Sequence, residues 1–236
     1  MTRTTNARLA GFTFLFYIAA GITRMILSSR AMSGEGTAAK LESLAGHATE
    51  LRFIVVLSLL MSLSALVLGV TLWAITREQD PDLAMLAMTC RVVEGVNNAS
   101  SIPQTLGLFW LATATGANAP DSAAAQALAA YFFREGAGVS ATFFAVGSTL
   151  FSWLLLRGRM IPVPLAWLGV VASVLLVLLL PLQLAGSVRS FSGAVGWLMW
   201  MPMLVFELVF ALWLLIKGVA APAARRSPLN QPSTVS

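Results

Sequence analysis

Arg91, Glu94 and Glu207 are ionisable residues set inside long apolar runs. On a 3.6-residue helix, Ala87, Arg91, Glu94, Asn98, Ser101 and Thr105 fall on one stripe, spaced by four and three. Asn97 and Gln104 flank that stripe, and Pro103 is placed to kink the helix that carries it. A charge at the centre of a bilayer costs about 2.5–3.5 kcal/mol even on a lenient insertion scale. The stripe must therefore face protein or a wet cavity rather than lipid.

Depth brings other residues level with it. At 1.5 Å per helical residue, Glu207 lies about 15 Å from the helix end at Lys217, and Arg91 about 12 Å from Leu83. Glu94 is roughly one turn deeper, and Tyr17 lies about 13 Å past Arg8. Tyr17, Arg91, Glu94, Asn98 and Glu207 are thus the candidate binding residues of one intramembrane polar layer. The fork of donors on Arg91 can serve two carboxylates. One arginine against two glutamates leaves a charge of −1 unless one glutamate carries a proton. Two readings stay open: an ion-pair clamp that fixes helix register, or a pocket or proton-responsive site.

The elements that hold this layer follow from composition. The chain has 236 residues, 58% hydrophobic and 11% charged, with mean hydropathy +0.81. A soluble domain carries about 25% charge, so a soluble fold is excluded. Six apolar segments are each long enough to cross a bilayer as a helix, approximately 9–27, 51–76, 84–113, 131–156, 164–186 and 195–217. The fold class is all-α, an integral membrane six-helix bundle over residues 1–218. A β-barrel would need alternating segments, and Val170–Leu180 does not alternate. The third span is the most polar and the easiest for a hydropathy window to miss. Residues 219–236, rich in Pro, Ala and Ser, read as a disordered cytoplasmic tail.

Basic residues orient the bundle in the inner (plasma) membrane with both termini cytoplasmic. Arg3, Arg8, Arg77, Arg157, Arg159, Lys217, Arg225 and Arg226 fall inside. Arg30, Lys40 and Arg189 fall outside, with Arg24, Arg52 and Arg134 near outer span ends. Trp73, Trp153, Trp167 and Trp213 mark the inner interface, and Trp110, Trp197 and Trp200 the outer one. Residues 1–27 also have the form of a signal peptide, with Ser29-Arg30-Ala31 as a small-residue site. A retained helix is preferred because an even number of spans returns the basic tail to the inside. Spans two, four and six each end in Trp-x-x-x-basic, at Trp73/Arg77, Trp153/Arg157 and Trp213/Lys217. The plain reading is an interfacial Trp with a snorkelling cation; the sharper one is three related helix hairpins.

Other chemistry is thin. His47 is the only histidine and Cys90 the only cysteine, so no two-histidine metal site and no internal disulfide can form within one chain. No metal and no cofactor is expected. The net charge of +5 is spread beside the spans, which suits lipid headgroups rather than nucleic acid. Asn98-Ala99-Ser100 matches a glycosylation sequon but lies inside a span. Ala137, Ala141 and Ala145 give the fourth span a close-packing face.

Several motifs occur in a fixed order: Leu9-Ala10-Gly11 leading to Tyr17, Arg91-Val92-Val93-Glu94, and Phe143-Phe144. Pro164-Leu165-Ala166-Trp167-Leu168-Gly169 follows, then Glu207-Leu208 and Leu212-Trp213-Leu214-Leu215-Ile216-Lys217-Gly218. In these the chain resembles the bacterial multi-pass membrane proteins grouped as domain of unknown function family 4386, from about residue 8 to 218. Cys90 stands where an aromatic or apolar residue is common, Ala145 where Gly is usual, and Arg24 is a charge outside the pattern. The resemblance implies a six-helix membrane protein and no particular activity. The leading expectation is a non-enzymatic protein that binds or moves a small amphiphile or lipid through the polar layer. The alternatives are an integral membrane enzyme using the glutamates as acid and base, and an accessory subunit of a membrane complex. Against the enzyme, the chain has no nucleophile elbow, Gly-rich phosphate loop or His cluster.

Overall fold

The computed structural model describes residues 1–117, 119–134, 138–186 and 194–221, and these are helical apart from short turns. The long helices are α1 (Arg3–Ala31), α3 (Ala48–Thr76), α4 (Pro81–Thr113), α6 (Gly138–Arg157), α7 (Val163–Leu184) and α8 (Ala194–Ile216). Two short ones, α2 (Gly36–Gly46) and α5 (Ser122–Arg134), lie in the connections. Local chemistry sets many of the ends. Thr2 accepts from the Thr5 amide to start α1, and Asp80 accepts from the Leu83 amide ahead of Pro81 to start α4. Past α8, Gly218 takes φ +72°, which lets its amide reach back to the Trp213 carbonyl and close the helix.

The six long helices form a ring in the order α1, α3, α4, α6, α7, α8, with α8 packed back on α1. Neighbours run antiparallel. One end of the ring, the base, carries Arg3, Arg77, Asp80, Arg157 and Lys217. The other, the cap end, carries α2 and α5. Close helix approach depends on glycine. A Cβ on Gly11 of α1 would sit 2.6 Å from the Ala211 carbonyl oxygen of α8, and one on Gly95 of α4 would sit 2.9 Å from that of Ser62 of α3. On α6, Gly147 faces Cys90 and Ala87 of α4. Small residues at crossings let backbones meet where no hydrophobic effect drives helices together.

Two cores result. The main one fills the ring with Phe14, Leu68, Phe144, Leu176, Phe206 and Phe210 among others. A second, at the cap end, joins Leu41 and Leu44 of α2 and Ala125 and Ala129 of α5 to Ala31, Leu51, Ile54, Leu108 and Leu111. The base is tied by polar contacts. Arg3 pairs with Glu78, Arg157 lies 3.5 Å from Asp80, and Arg3 also donates to the Ala220 carbonyl.

Five stretches have the length and hydropathy to cross a membrane: α1, α3, α7, the 21 residues Gly196–Ile216 of α8, and Ser122–Arg157, which takes in α5 and α6. The protein is therefore a multi-pass membrane protein. Helix α4 is long enough but is not among them, because Arg91, Glu94 and its amide and hydroxyl residues lower its hydropathy. The span expected over 131–156 falls within the stretch Ser122–Arg157: Tyr131–Arg134 belong to α5, which also packs on α2 and α4, and α6 begins at Gly138. The outer connections hold α2 and α5. Of the tail expected from 219, Ala220 is pinned by a 3.0 Å bond from its amide to the Met160 carbonyl. Residues 222–236, with Arg225 and Arg226, lie outside the described residues, as do Ala137 and Arg189.

Candidate functional site

The stripe on α4 faces the inside of the ring. Arg91 and Glu94 are each 1% exposed, and Arg91 Nη1 donates to Glu94 Oε2 at 2.8 Å. The guanidinium lies between two aromatic rings, 4.7 Å from the Phe144 centroid and 5.6 Å from that of Phe14. Such cation–π contacts are each worth about 0.5–2 kcal/mol, more where water is excluded. Gly69 of α3 makes room for it, since a Cβ there would meet the Arg91 Cβ at 3.2 Å.

A directed chain of hydrogen bonds reaches Glu94 from the other side. The Ser140 hydroxyl lies 2.8 Å from Asn98 Oδ1. Asn98 Nδ2 donates to the Tyr17 hydroxyl at 3.4 Å, and Tyr17 donates to Glu94 Oε1 at 2.7 Å. The Ser140 hydroxyl is also 3.2 Å from the Glu94 carbonyl oxygen, so its single proton serves one acceptor at a time. Both oxygens of Glu94 are thus satisfied, one by α4 and one by α1.

Glu207 differs. It reaches the layer from α8, its Oε1 is 3.8 Å from Arg91 Nη2, and its side chain is 9% exposed. That distance is too long for a hydrogen bond, and Oε1 has no hydrogen-bond partner. It borders a half-enclosed cavity of about 190 Å³. Tyr17, Glu94, Asn98, Ser140 and Glu207 make the polar side of that cavity, with Arg24. Met61, Ala141, Phe144 and Trp200 make its apolar side. Phe144 and Trp200 lie side by side, ring centroids 6.1 Å apart.

The five candidate residues are therefore brought together, but they divide by role. Tyr17, Glu94, Asn98 and Glu207 line the cavity, while Arg91 stands behind Glu94 and is not part of the lining. Among the described residues no group of three His, Cys, Asp or Glu is placed to hold a metal ion. Asn97 and Gln104, flanking the stripe, do not line the cavity either. Sequence reasoning missed Arg24, Met61, Ser140, Ala141, Phe144 and Trp200 as lining residues. Arg24 carried a usable signal, lying two helical turns past Tyr17 on the same face of α1.

The model of a domain of unknown function, DUF4386, matches residues 9–218. The chain belongs to the DUF4386 family. No curated protein matches it, and no solved structure does. The family's match takes in α1 from residue 9, the other five ring helices and every residue of the polar layer. In this DUF4386 protein the motifs singled out above converge. Gly11 sets the α1–α8 contact, Arg91 and Glu94 form the buried pair, and Phe144 stacks on Arg91. Gly169 meets Phe206, the residue next to Glu207, at 2.6 Å from its would-be Cβ.

Proposed function

We propose that this protein binds a small amphiphile inside the membrane, in the cavity between Glu207 and Arg24. The carrying observation is a half-enclosed space of about 190 Å³ whose lining joins a buried polar layer to an aromatic and aliphatic wall. Sites for small ligands are concave and mainly apolar, with a few placed polar groups. An ion-pair clamp alone would need Arg91 and Glu94 and nothing more. Here Tyr17, Asn98, Ser140 and Glu207 extend the polar surface beyond that pair.

The same reading takes all six ring helices as membrane spans, with the base on the cytoplasmic side. Helix α4 supplies the sixth crossing because its charged residues face the ring interior. The base also holds Arg3, Arg8, Arg77, Arg157, Arg159 and Lys217, the expected cytoplasmic excess. Accessibility tests the pocket. In a Cys90→Ala background, a cysteine in place of Ala141 should react with a small water-soluble thiol reagent after delipidation in detergent. Added amphiphile should slow that reaction. A thiol that stays unreactive in the folded, delipidated protein would refute the reading.

A further inference from the structure

Two polar atoms of the cavity lining lack hydrogen-bond partners, Glu207 Oε1 and Arg24 Nε. They are not adjacent. Tyr17 is level with Glu207, since both converge on the Arg91–Glu94 pair. Arg24 is two turns further along α1, roughly 10 Å at 1.5 Å per residue. Trp200 is the same distance from Glu207 along antiparallel α8, roughly 10 Å. The cavity therefore has a floor and a mouth of opposite character. Its floor is rich in acceptors: Glu207 Oε1, the Glu94 carboxylate and the Tyr17 oxygen. Formally it carries −1, Arg91 against Glu94 and Glu207. Its mouth carries the cation of Arg24. A purely cationic ligand would meet Arg24, and a purely anionic one would meet the two glutamates.

We infer that the cavity takes a compact zwitterion, a primary ammonium joined by a short linker to a phosphate. The ammonium occupies the floor against Glu207 and the phosphate lies at the mouth by Arg24. A primary ammonium has three N–H donors for an acceptor-rich floor, whereas a trimethylammonium has none. The guanidinium of Arg24 is the fork suited to a phosphate. A cavity of about 190 Å³ suits a head rather than a whole lipid. An aminoethyl phosphate has this chemistry, either as the head of phosphatidylethanolamine, its acyl chains left in the bilayer, or as the free compound. This assignment rests on the cavity being a binding site.

The test uses the full chain in nanodiscs of equimolar phosphatidylethanolamine, phosphatidylcholine and phosphatidylglycerol, released intact into a native mass spectrometer. Phosphatidylethanolamine should be retained roughly tenfold over phosphatidylcholine, the worth of one charge-assisted hydrogen bond. Glu207→Gln should bring the two lipids to parity. Arg24→Gln, a change nearer the surface, should weaken retention of both phospholipids. Equal retention of the two lipids by the parent chain, together with no protection of the Ala141→Cys thiol by free phosphoethanolamine, would overturn the inference, as would a preference that survives Glu207→Gln. The Ala141→Cys thiol separates the two failures. If phosphatidylcholine protects it as well as phosphatidylethanolamine does, the cavity binds amphiphiles and only the head assignment falls; if nothing protects it, the binding reading falls too. Protection by free phosphoethanolamine marks a soluble source, and protection by the lipid alone marks the bilayer.

Discussion

Replacing Arg91 by leucine tests whether the polar layer is organised as described. The guanidinium is 1% exposed and makes a 2.8 Å bond to a carboxylate that is equally buried. Removing one partner of such a pair typically costs about 3–5 kcal/mol, because the other charge is left without compensation. The contacts with Phe144 and Phe14 are lost in the same change. In a chain of this length 1 kcal/mol shifts Tm by about 2–4 °C, so the expected drop is roughly 6–20 °C. The protein contains its own reporter. Cys90 is the only cysteine and is buried against Gly147, so a thiol-reactive fluorogenic dye reads unfolding directly.

The geometry also predicts which second change rescues. Glu94 loses its 2.8 Å partner and keeps only Tyr17, whereas Glu207 was 3.8 Å away and faces a cavity. In the Arg91→Leu background, Glu94→Gln should therefore restore more stability than Glu207→Gln. Glutamine retains an acceptor for the Tyr17 hydroxyl while removing the stranded charge. A single Arg91→Leu change within about 0.5 kcal/mol of the parent, the range of an ordinary surface substitution, would refute the reasoning. Larger rescue from Glu207→Gln than from Glu94→Gln would refute it equally.

Gly11→Ala should destabilise by about 1–3 kcal/mol, because its Cβ would press on the Ala211 carbonyl at 2.6 Å and helix backbones yield poorly. Gly107→Ala, whose Cβ would meet only the Phe132 ring at 3.6 Å, should leave Tm unlowered in the same dye assay. Arg159, in the α6–α7 turn, holds φ +50°, a conformation that costs a non-glycine residue about 1–2 kcal/mol. Arg159→Gly should therefore leave Tm unchanged or raise it by a few degrees, and a clear loss would show that the arginine side chain makes a contact worth more than the strain. Reporter fusions after residues 40 and 120 should read periplasmic, and those after 80 and 160 cytoplasmic. Matching signals from the fusions at 80 and 120 would remove α4 as a crossing.

The long helices were legible because apolar runs of more than 20 residues leave few other structures for a chain in lipid. The short ones were not. Helix α2 buries only Leu41 and Leu44, spaced by three, within a stretch that otherwise reads as polar. Helix α5 did carry signals: Asp121 accepts from the Ala124 amide, and Ala125, Ala129 and Phe132 recur at helical spacing. Its last residues were read as the start of the fourth span because Tyr131, Phe132 and Phe133 are as apolar as the helix that follows. What marks Ser122–Arg134 out is its packing against α2 and α4, which only the fold supplies.

The site was legible to a depth but not to an atom. Rise per residue placed Tyr17, Arg91, Glu94 and Glu207 in one layer, and the structure brings all four together. It could not say which carboxylate Arg91 would satisfy. That is decided by position on the helices. Glu94 sits one turn from Arg91 on α4, where an i,i+3 pair meets at little entropic cost, and Tyr17 completes its coordination from α1. Glu207 must reach Arg91 across the ring from α8, and Oε1 stops 3.8 Å short. An unsatisfied buried oxygen carries a standing desolvation cost of about 1–3 kcal/mol or more when charged. A purely structural clamp would have removed that cost by using glutamine, leucine or a closer approach. Glu207 instead stands beside an open space, with a second unpartnered donor, Arg24 Nε, about two helical turns away, and on the proposed reading a ligand in that space offsets the cost.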